Sequence, residues 1–318
     1  MASPSLMLLI IIIVSSIATR GKGLSSNYYE TTCPQAEAIV TEVVNKASMA
    51  DTTVPAGLLR MHFHDCFIRG CDASVLLESK NKNSPAEKNG PPNVSLHAFF
   101  VVDDAKKAVE AICPGVVSCA DILAFAARDA VVAAGGPYWE VPKGRKDGRV
   151  SKASETIQLP APAFNLSQLY LSFSLRGLSM EDLVALSGGH TIGFSHCSSF
   201  DNRLRNFNAT SDVDPTLNRA MAAQLRGICP PGGNSKNAGT GMDPSSTTFD
   251  NNYYKLLLQG KGLFSSDQAL LANPKTRALV LQYASSQEAF FKALANSMIK
   301  MSSITGGEGV RTDCRVSN

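Results

Sequence analysis

Eight cysteines, Cys33, Cys66, Cys71, Cys113, Cys119, Cys197, Cys229 and Cys314, constrain this chain more than any other feature. They follow an apolar run from Leu6 to Ile17, small residues at Ser15, Ser16 and Ala18, and then Arg20-Gly21-Lys22-Gly23. That order reads as a signal peptide over residues 1–22, cleaved to leave a mature chain of 23–318. The apolar run is too short to span a bilayer comfortably, and no later stretch looks transmembrane. Export places the cysteines in an oxidising compartment, where an even count implies a disulfide framework. On the order of a hundred pairings are open to eight cysteines, and the residues alone do not choose among them. Metal ligation is the competing use of the thiols, and no Cys-x-x-Cys pair supports it.

At 318 residues the chain suits one large domain or two small ones, with 44% hydrophobic and 18% charged residues. No linker or repeat divides it, so 23–318 is expected to be a single domain. Its 30 basic and 27 acidic residues give +3, and loss of Arg20 and Lys22 would leave +1. With no Lys/Arg-rich run either, nothing points to nucleic acid. The sequons at Asn93, Asn165 and Asn208 mark possible glycan sites.

Most segments carry helical periodicity. Apolar residues at Ala36, Ile39, Val40, Val43, Val44 and Ala47 line one face of 36–49. Pro55 opens a helix through Leu58, Leu59 and Met61. Further helices are predicted over 99–111, 118–134 and 165–176, and from an N-cap at Ser179 with Asp182 three residues on. Another is predicted from Asp214-Pro215 through Leu225, and the last over 249–259 and 274–301. Pro230 to Thr240 is the loosest loop. The chain therefore reads as mainly α, with very little strand.

The densest chemistry lies in Arg60-Met61-His62-Phe63-His64-Asp65-Cys66. Arg60 and His64, four apart on a helix, share a face. A fixed cation beside an imidazole keeps it neutral near pH 7, ready to accept a proton, while the cation stabilises charge on a substrate oxygen. An ordinary helix with a solvated Arg and a core His is the plainer reading, but Leu58, Leu59, Met61 and Phe63 would bury both groups at a cost. Next, Asp65, Asp72 and Ser74 offer hard oxygens around the Gly70 turn, a Ca²⁺ loop without EF-hand spacing. Farther on, His190 ends an apolar helix behind Gly188 and Gly189, which leave room for a flat group. Asp267 is a carboxylate that could fix its tautomer.

Together these motifs resemble those of the secreted plant (class III) haem peroxidases. The likeness covers nearly the whole mature chain. It runs through Tyr29 to Pro34, Arg60 to Ser74, Val117 to Leu123, Ala126 to Asp129, Gly136 to Trp139, Leu159 to Pro162, Ala185 to Gly193, Phe249 to Asn251, and Gly262 to Gln268. It implies a two-lobed all-helical fold with haem b between distal and proximal lobes. His190 would be the axial iron ligand, with Asp267 behind it. His64 would be the distal acid–base, Arg60 its electrostatic partner and Phe63 a pocket wall. Asn93, with Glu87 behind it, would orient His64, and Pro160 would stand where reducing substrates bind.

The resemblance also implies the disulfides Cys33–Cys113, Cys66–Cys71, Cys119–Cys314 and Cys197–Cys229, a buried Asp121–Arg145 ion pair, and two Ca²⁺ ions. The distal ion would use Asp65, Ile68, Gly70, Asp72 and Ser74. The proximal one would use Thr191, Asp243, Ser245 or Ser246, Thr248 and Asp250. The implied activity is reduction of hydrogen peroxide, with phenolic donors oxidised in two one-electron steps through high-valent iron-oxo states. The implied setting is a monomer in the plant apoplast or cell wall, within reach of wall polymers, with no membrane attachment after cleavage. Only Arg315 to Asn318 follow Cys314, which does not match a vacuolar-type tail, so the extracellular space is the expected location.

Three departures from the family pattern stand out. His97-Ala98-Phe99 replaces Arg-Gly-Phe in a segment one residue shorter. The interval from Asp243 to Asp250 is also one shorter. Ala163 replaces a haem-edge Phe found in some members. The runner-up functions are a secreted zinc hydrolase using His62, His64, His190 and His196, and a non-enzymatic cell-wall binding protein.

Overall fold

The computed structural model describes residues 23–231 and 237–317. Residues 1–22, the span expected to be a signal peptide, residues 232–236, within the stretch expected to be the loosest loop, and residue 318 lie outside them. Twelve α-helices are described: α1 (Ala36–Ala50), α2 (Val54–Cys66), α3 (Phe99–Glu110), α4 (Cys119–Ala133), α5 (Leu166–Ser174), α6 (Met180–Ser187), α7 (Asp201–Leu204), α8 (Arg219–Ile228), α9 (Asn252–Leu258), α10 (Ser265–Ala269), α11 (Pro274–Ser285) and α12 (Gln287–Ser302). Short 3₁₀ turns link several of them. The one sheet among the described residues pairs β1 (Phe194–His196) with β2 (Gly239–Gly241), antiparallel, with Ser195 opposite Thr240.

Helix α4 shows why the chain folds this way. The Ser118 hydroxyl accepts from the Asp121 N–H and starts the helix, and every residue from Cys119 to Val131 is buried. A helix buried on every side, its few charges (Asp121, Arg128 and Asp129) paired, belongs inside a core. Helices α1, α2 and α3 pack around it as one lobe, while α6, α9, α11 and α12 pack together as the other. Most buried apolar side chains form one continuous core, and a satellite core gathers Phe200, Leu204, Leu225 and Phe264.

Asp121 and Arg145 meet inside the first lobe, the Arg145 Nη1 donating to Asp121 Oδ1 at 2.8 Å with both side chains fully buried. The Tyr29 hydroxyl and the Gly144 N–H satisfy the other carboxylate oxygen, which a buried ion pair requires. The disulfides are Cys33–Cys113, Cys66–Cys71, Cys119–Cys314 and Cys197–Cys229, the pairing that the resemblance implied.

Two helix assignments need correction. The helix predicted from Asp214-Pro215 starts at Arg219, because Asn218 is its cap and accepts from Ala220 and Met221. Asp214 is engaged instead by Arg203 and Thr216. The stretch 274–301 breaks at Ser286, which ends α11 in extended conformation and caps α12 through the Ala289 N–H.

Candidate active site

Helix α2 and the turn after α6 carry the two histidines. Leu59 and Ala56 of α2 lie 3.4 and 3.0 Å from where a Cβ on Gly189 and Gly193 would stand, so the two segments face each other around His190.

His64 is buried. Its Nδ1 lies 2.5 Å from Asn93 Oδ1, and Asn93 Nδ2 donates to the Glu87 carbonyl at 2.8 Å. The amide is thereby oriented, His64 donates from Nδ1, and its Nε2 keeps a lone pair. Burial, and then the Arg60 charge, push the imidazole down to about 3, so it is neutral at physiological pH. Arg60 is itself brought down to about 10 by burial and stays protonated. Its Nη2 donates to the Pro92 carbonyl at 2.7 Å and its Nη1 to Ser95 Oγ at 3.0 Å. Phe63 stands beside His64, ring centroids 5.6 Å apart. The shortened segment after Asn93 therefore still delivers its amide to His64. Asn93 is 1% exposed and bonded at both ends, which excludes a glycan there; Asn165 and Asn208 are exposed.

His190 presents the complementary arrangement. Its Nδ1 lies 2.8 Å from Asp267 Oδ1, which also accepts from the Tyr253 hydroxyl at 3.1 Å. Asp267 Oδ2 accepts from the Phe264 N–H at 2.8 Å. A carboxylate so held fixes the Nδ1–H tautomer and leaves Nε2 free to bind a metal. The His190 side chain is 42% exposed although its partner Asp267 is 2% exposed, so the ring is anchored at Nδ1 while part of it stays reachable by a bound group. Gly188 shapes the support of this turn. A Cβ there would collide with both the Phe290 ring and the Tyr254 hydroxyl. Gly188→Ala is expected to cost about 1–3 kcal/mol of stability, read from denaturant unfolding, because neither buried ring can withdraw.

The first oxygen-rich loop holds Asp65, Asp72 and Glu87 buried close together. Burial, and then the charge of Asp72, hold the Asp65 carboxyl far above its usual range, and burial carries Glu87 up to about 8. Backbone N–H groups of Ala73, Val75 and Ser74 bind Asp65 and Asp72. The Ser74 hydroxyl and both Glu87 oxygens reach no hydrogen-bond partner of good geometry, though they lie near enough to interact. Gly70 turns at φ 84°, two residues after Ile68. Three carboxylates buried together, the oxygens of Glu87 among them without a partner, suit a divalent cation.

In the second loop, Thr191 Oγ1 meets Asp243 Oδ2 at 2.8 Å and Asp250 Oδ1 at 3.1 Å. Ser245 donates to Asp243, and Asn252, which the sequence reading missed, donates to Asp250 and Ser245. The Ser246 carbonyl is taken by Gly193, while Thr248 is exposed and tied in only through its backbone N–H to Ser245. Pro160 is half-buried and Ala163 exposed at the start of α5, where the Pro162 carbonyl accepts from Ser266, one residue before Asp267.

The zinc reading finds no support. His62 bonds to Ser302, and among the described residues the one metal-like grouping is His62 with Cys66 and Cys71, whose sulfurs are already in a disulfide. Two shallow hollows of about 330 Å³, beside Tyr29 and Lys143 and between Asp182 and Lys300, lie away from these residues. No described helix is long and apolar enough to cross a membrane.

A family model described as peroxidase matches residues 40–286. Peroxidase 64 of Arabidopsis thaliana is 64% identical over 308 residues, 96% of this chain and 97% of that protein. Peroxidase 66 of the same plant is 57% identical over 279 residues, covering 87% and 86%. Peroxidase 5 of Vitis vinifera is 49% identical over 302 residues, covering 93% and 92%.

Proposed function

The chain belongs to the peroxidase family, as a plant secretory haem enzyme that reduces hydrogen peroxide while oxidising a donor, and on that premise we propose how its residues divide the work. The observation that carries the reading is a pair of imidazoles on facing segments, each tied back through Nδ1 so that Nε2 is presented. His190 would hold haem b through Nε2, with Asp267 and Tyr253 fixing its ring. Haem, when bound, would supply redox-active iron, the chemistry needed for peroxide reduction and one-electron oxidation of phenolic donors.

His64 takes the proton of peroxide at Nε2 and returns it to the departing oxygen. It can do both because it is neutral and because Asn93 holds its tautomer. Arg60 stabilises the negative charge that gathers on that oxygen. Phe63 walls the pocket, and phenols approach past Pro160, where Ala163 leaves the mouth open. Asp65, Ile68, Gly70, Asp72 and Ser74 hold one Ca²⁺. Thr191, Asp243, Ser245 and Asp250 hold a second, with Ser246 and Thr248 at its edge. The mature enzyme works as a monomer in the apoplast, within reach of wall polymers.

Purified protein should show a Soret band and oxidise guaiacol only when peroxide is present. A colourless preparation, or turnover without peroxide, would overturn the assignment. Chelation gives a separate check. Each Ca²⁺ present at roughly a thousand times its Kd contributes about 4 kcal/mol, so EGTA should lower the unfolding midpoint and added Ca²⁺ restore it. An unchanged midpoint would remove calcium from the description.

A further inference from the structure

The segment from Pro92 to Ala98 touches α2 at three levels. At one end Asn93 Oδ1 binds His64, and in the middle the Pro92 carbonyl and Ser95 Oγ accept from Arg60. At the other end the His97 ring bonds through Nε2 to the Thr53 carbonyl at 3.0 Å, at the very start of α2. The ring lies flat on bare backbone there, since a Cβ on Gly57 would stand 2.9 Å from it. Ala98 then takes φ 67°, a left-handed turn that redirects the chain into α3. The segment is thus pinned at both ends, and the Ser95 hydroxyl between the pins is fixed relative to α2.

Granted the role of Arg60 proposed above, we infer that Ser95 is a positioning residue. Together with the Pro92 carbonyl it holds the Arg60 guanidinium in one pose, with His97 latching the segment against the helix. A long side chain with several rotatable bonds does not hold a cation in place by itself. Two acceptors, one for each terminal guanidinium nitrogen and both from this doubly pinned segment, supply that constraint. They also refer Arg60 and His64 to the same short piece of chain, so the cation and the proton acceptor keep their relative placement.

The test uses the haem-loaded enzyme and two small ligands followed by the Soret band. Fluoride brings negative charge into the pocket and reports on Arg60. Cyanide enters as hydrogen cyanide, whose proton His64 must take, and reports on His64. Ser95→Ala should weaken fluoride by about tenfold, the scale of one lost hydrogen bond to a charged group. It should leave cyanide within about twofold and the pH profile of the peroxide reaction in place. Ser95→Thr, which keeps the hydroxyl, should restore fluoride affinity. Fluoride binding that is unchanged or tighter in Ser95→Ala, or an equal loss for both ligands, would overturn the inference. Failure of the wild-type protein to take up haem would instead sink the functional reading on which it stands.

Discussion

Replacing His64 with leucine is expected to leave haem uptake intact and to slow the reaction with hydrogen peroxide by at least about 10⁴-fold. Loss of a general acid–base alone is typically worth about 10²–10⁴, and groups that act as a unit lose more than one member's share. Here the unit is tight. His64 is oriented through Asn93, Asn93 is held by the Glu87 carbonyl, and Arg60 lies on the same helix one turn earlier. Leucine offers no lone pair, so peroxide would keep its proton and Arg60 would face a neutral oxygen. About 10⁴ corresponds to roughly 5.5 kcal/mol of barrier. The measurement is the first Soret change after rapid mixing with peroxide, against an unchanged resting spectrum from His190. The wild-type rate in His64→Leu would refute the role. A linked expectation concerns pH. With the imidazole held down to about 3, the rate should be flat from neutral pH to about 4 and fall only as His64 gains its proton.

Half of this site was legible in the residues themselves. The spacing of Arg60 and His64 placed them on one helical face, and the glycines before His190 announced an uncluttered approach. The partners of the two Nδ1 atoms were not legible in that way. Asn93 stands 29 residues from His64, and Asp267 stands 77 from His190. No periodicity links residues so far apart: the residues themselves offered Asp267 only as a carboxylate that could reach His190, and only the resemblance to a family named Asn93. Tyr253, Asn252 and Ser95 escaped because their roles depend on where a hydroxyl or amide lands after folding. The burial of Asn93 was equally invisible, and it decides that the sequon there cannot carry a glycan.

The fold divides along similar lines. Local rules worked where a cap and an apolar face agreed, as at Ser118, and at Ser179, whose capping box with Asp182 is present. They failed at Asp214-Pro215, a strong helix-start signal on paper. Its carboxylate is spent on Arg203, which is buried and needs a counter-charge more than the helix needs a cap. The mirror case is Ser286, whose extended backbone splits what its apolar pattern presented as one long helix. In both places a tertiary demand overrode a local preference.

Opening Cys119–Cys314, by replacing both cysteines with alanine, is expected to cost about 5 kcal/mol, the chain-entropy value for a loop of this size. The pair spans 195 residues, against 32 for Cys197–Cys229, whose loss should cost about 4 kcal/mol by the same relation. The long bridge also closes a network. Asp147 accepts from the Cys119 and Ala120 N–H groups at the start of α4 and from the Arg311 N–H in the C-terminal segment. Arg311 in turn donates to the Ala73 carbonyl in the loop that follows His64. Freed of its disulfide, the C-terminal segment loses its anchor to the central helix, and that loop loses a brace. Denaturant unfolding of the two double variants should therefore rank the long bridge above the short one, and the long-bridge variant alone should bind Ca²⁺ more weakly. Equal losses, or the reverse order, would show that local packing around each cystine outweighs the size of the loop it closes.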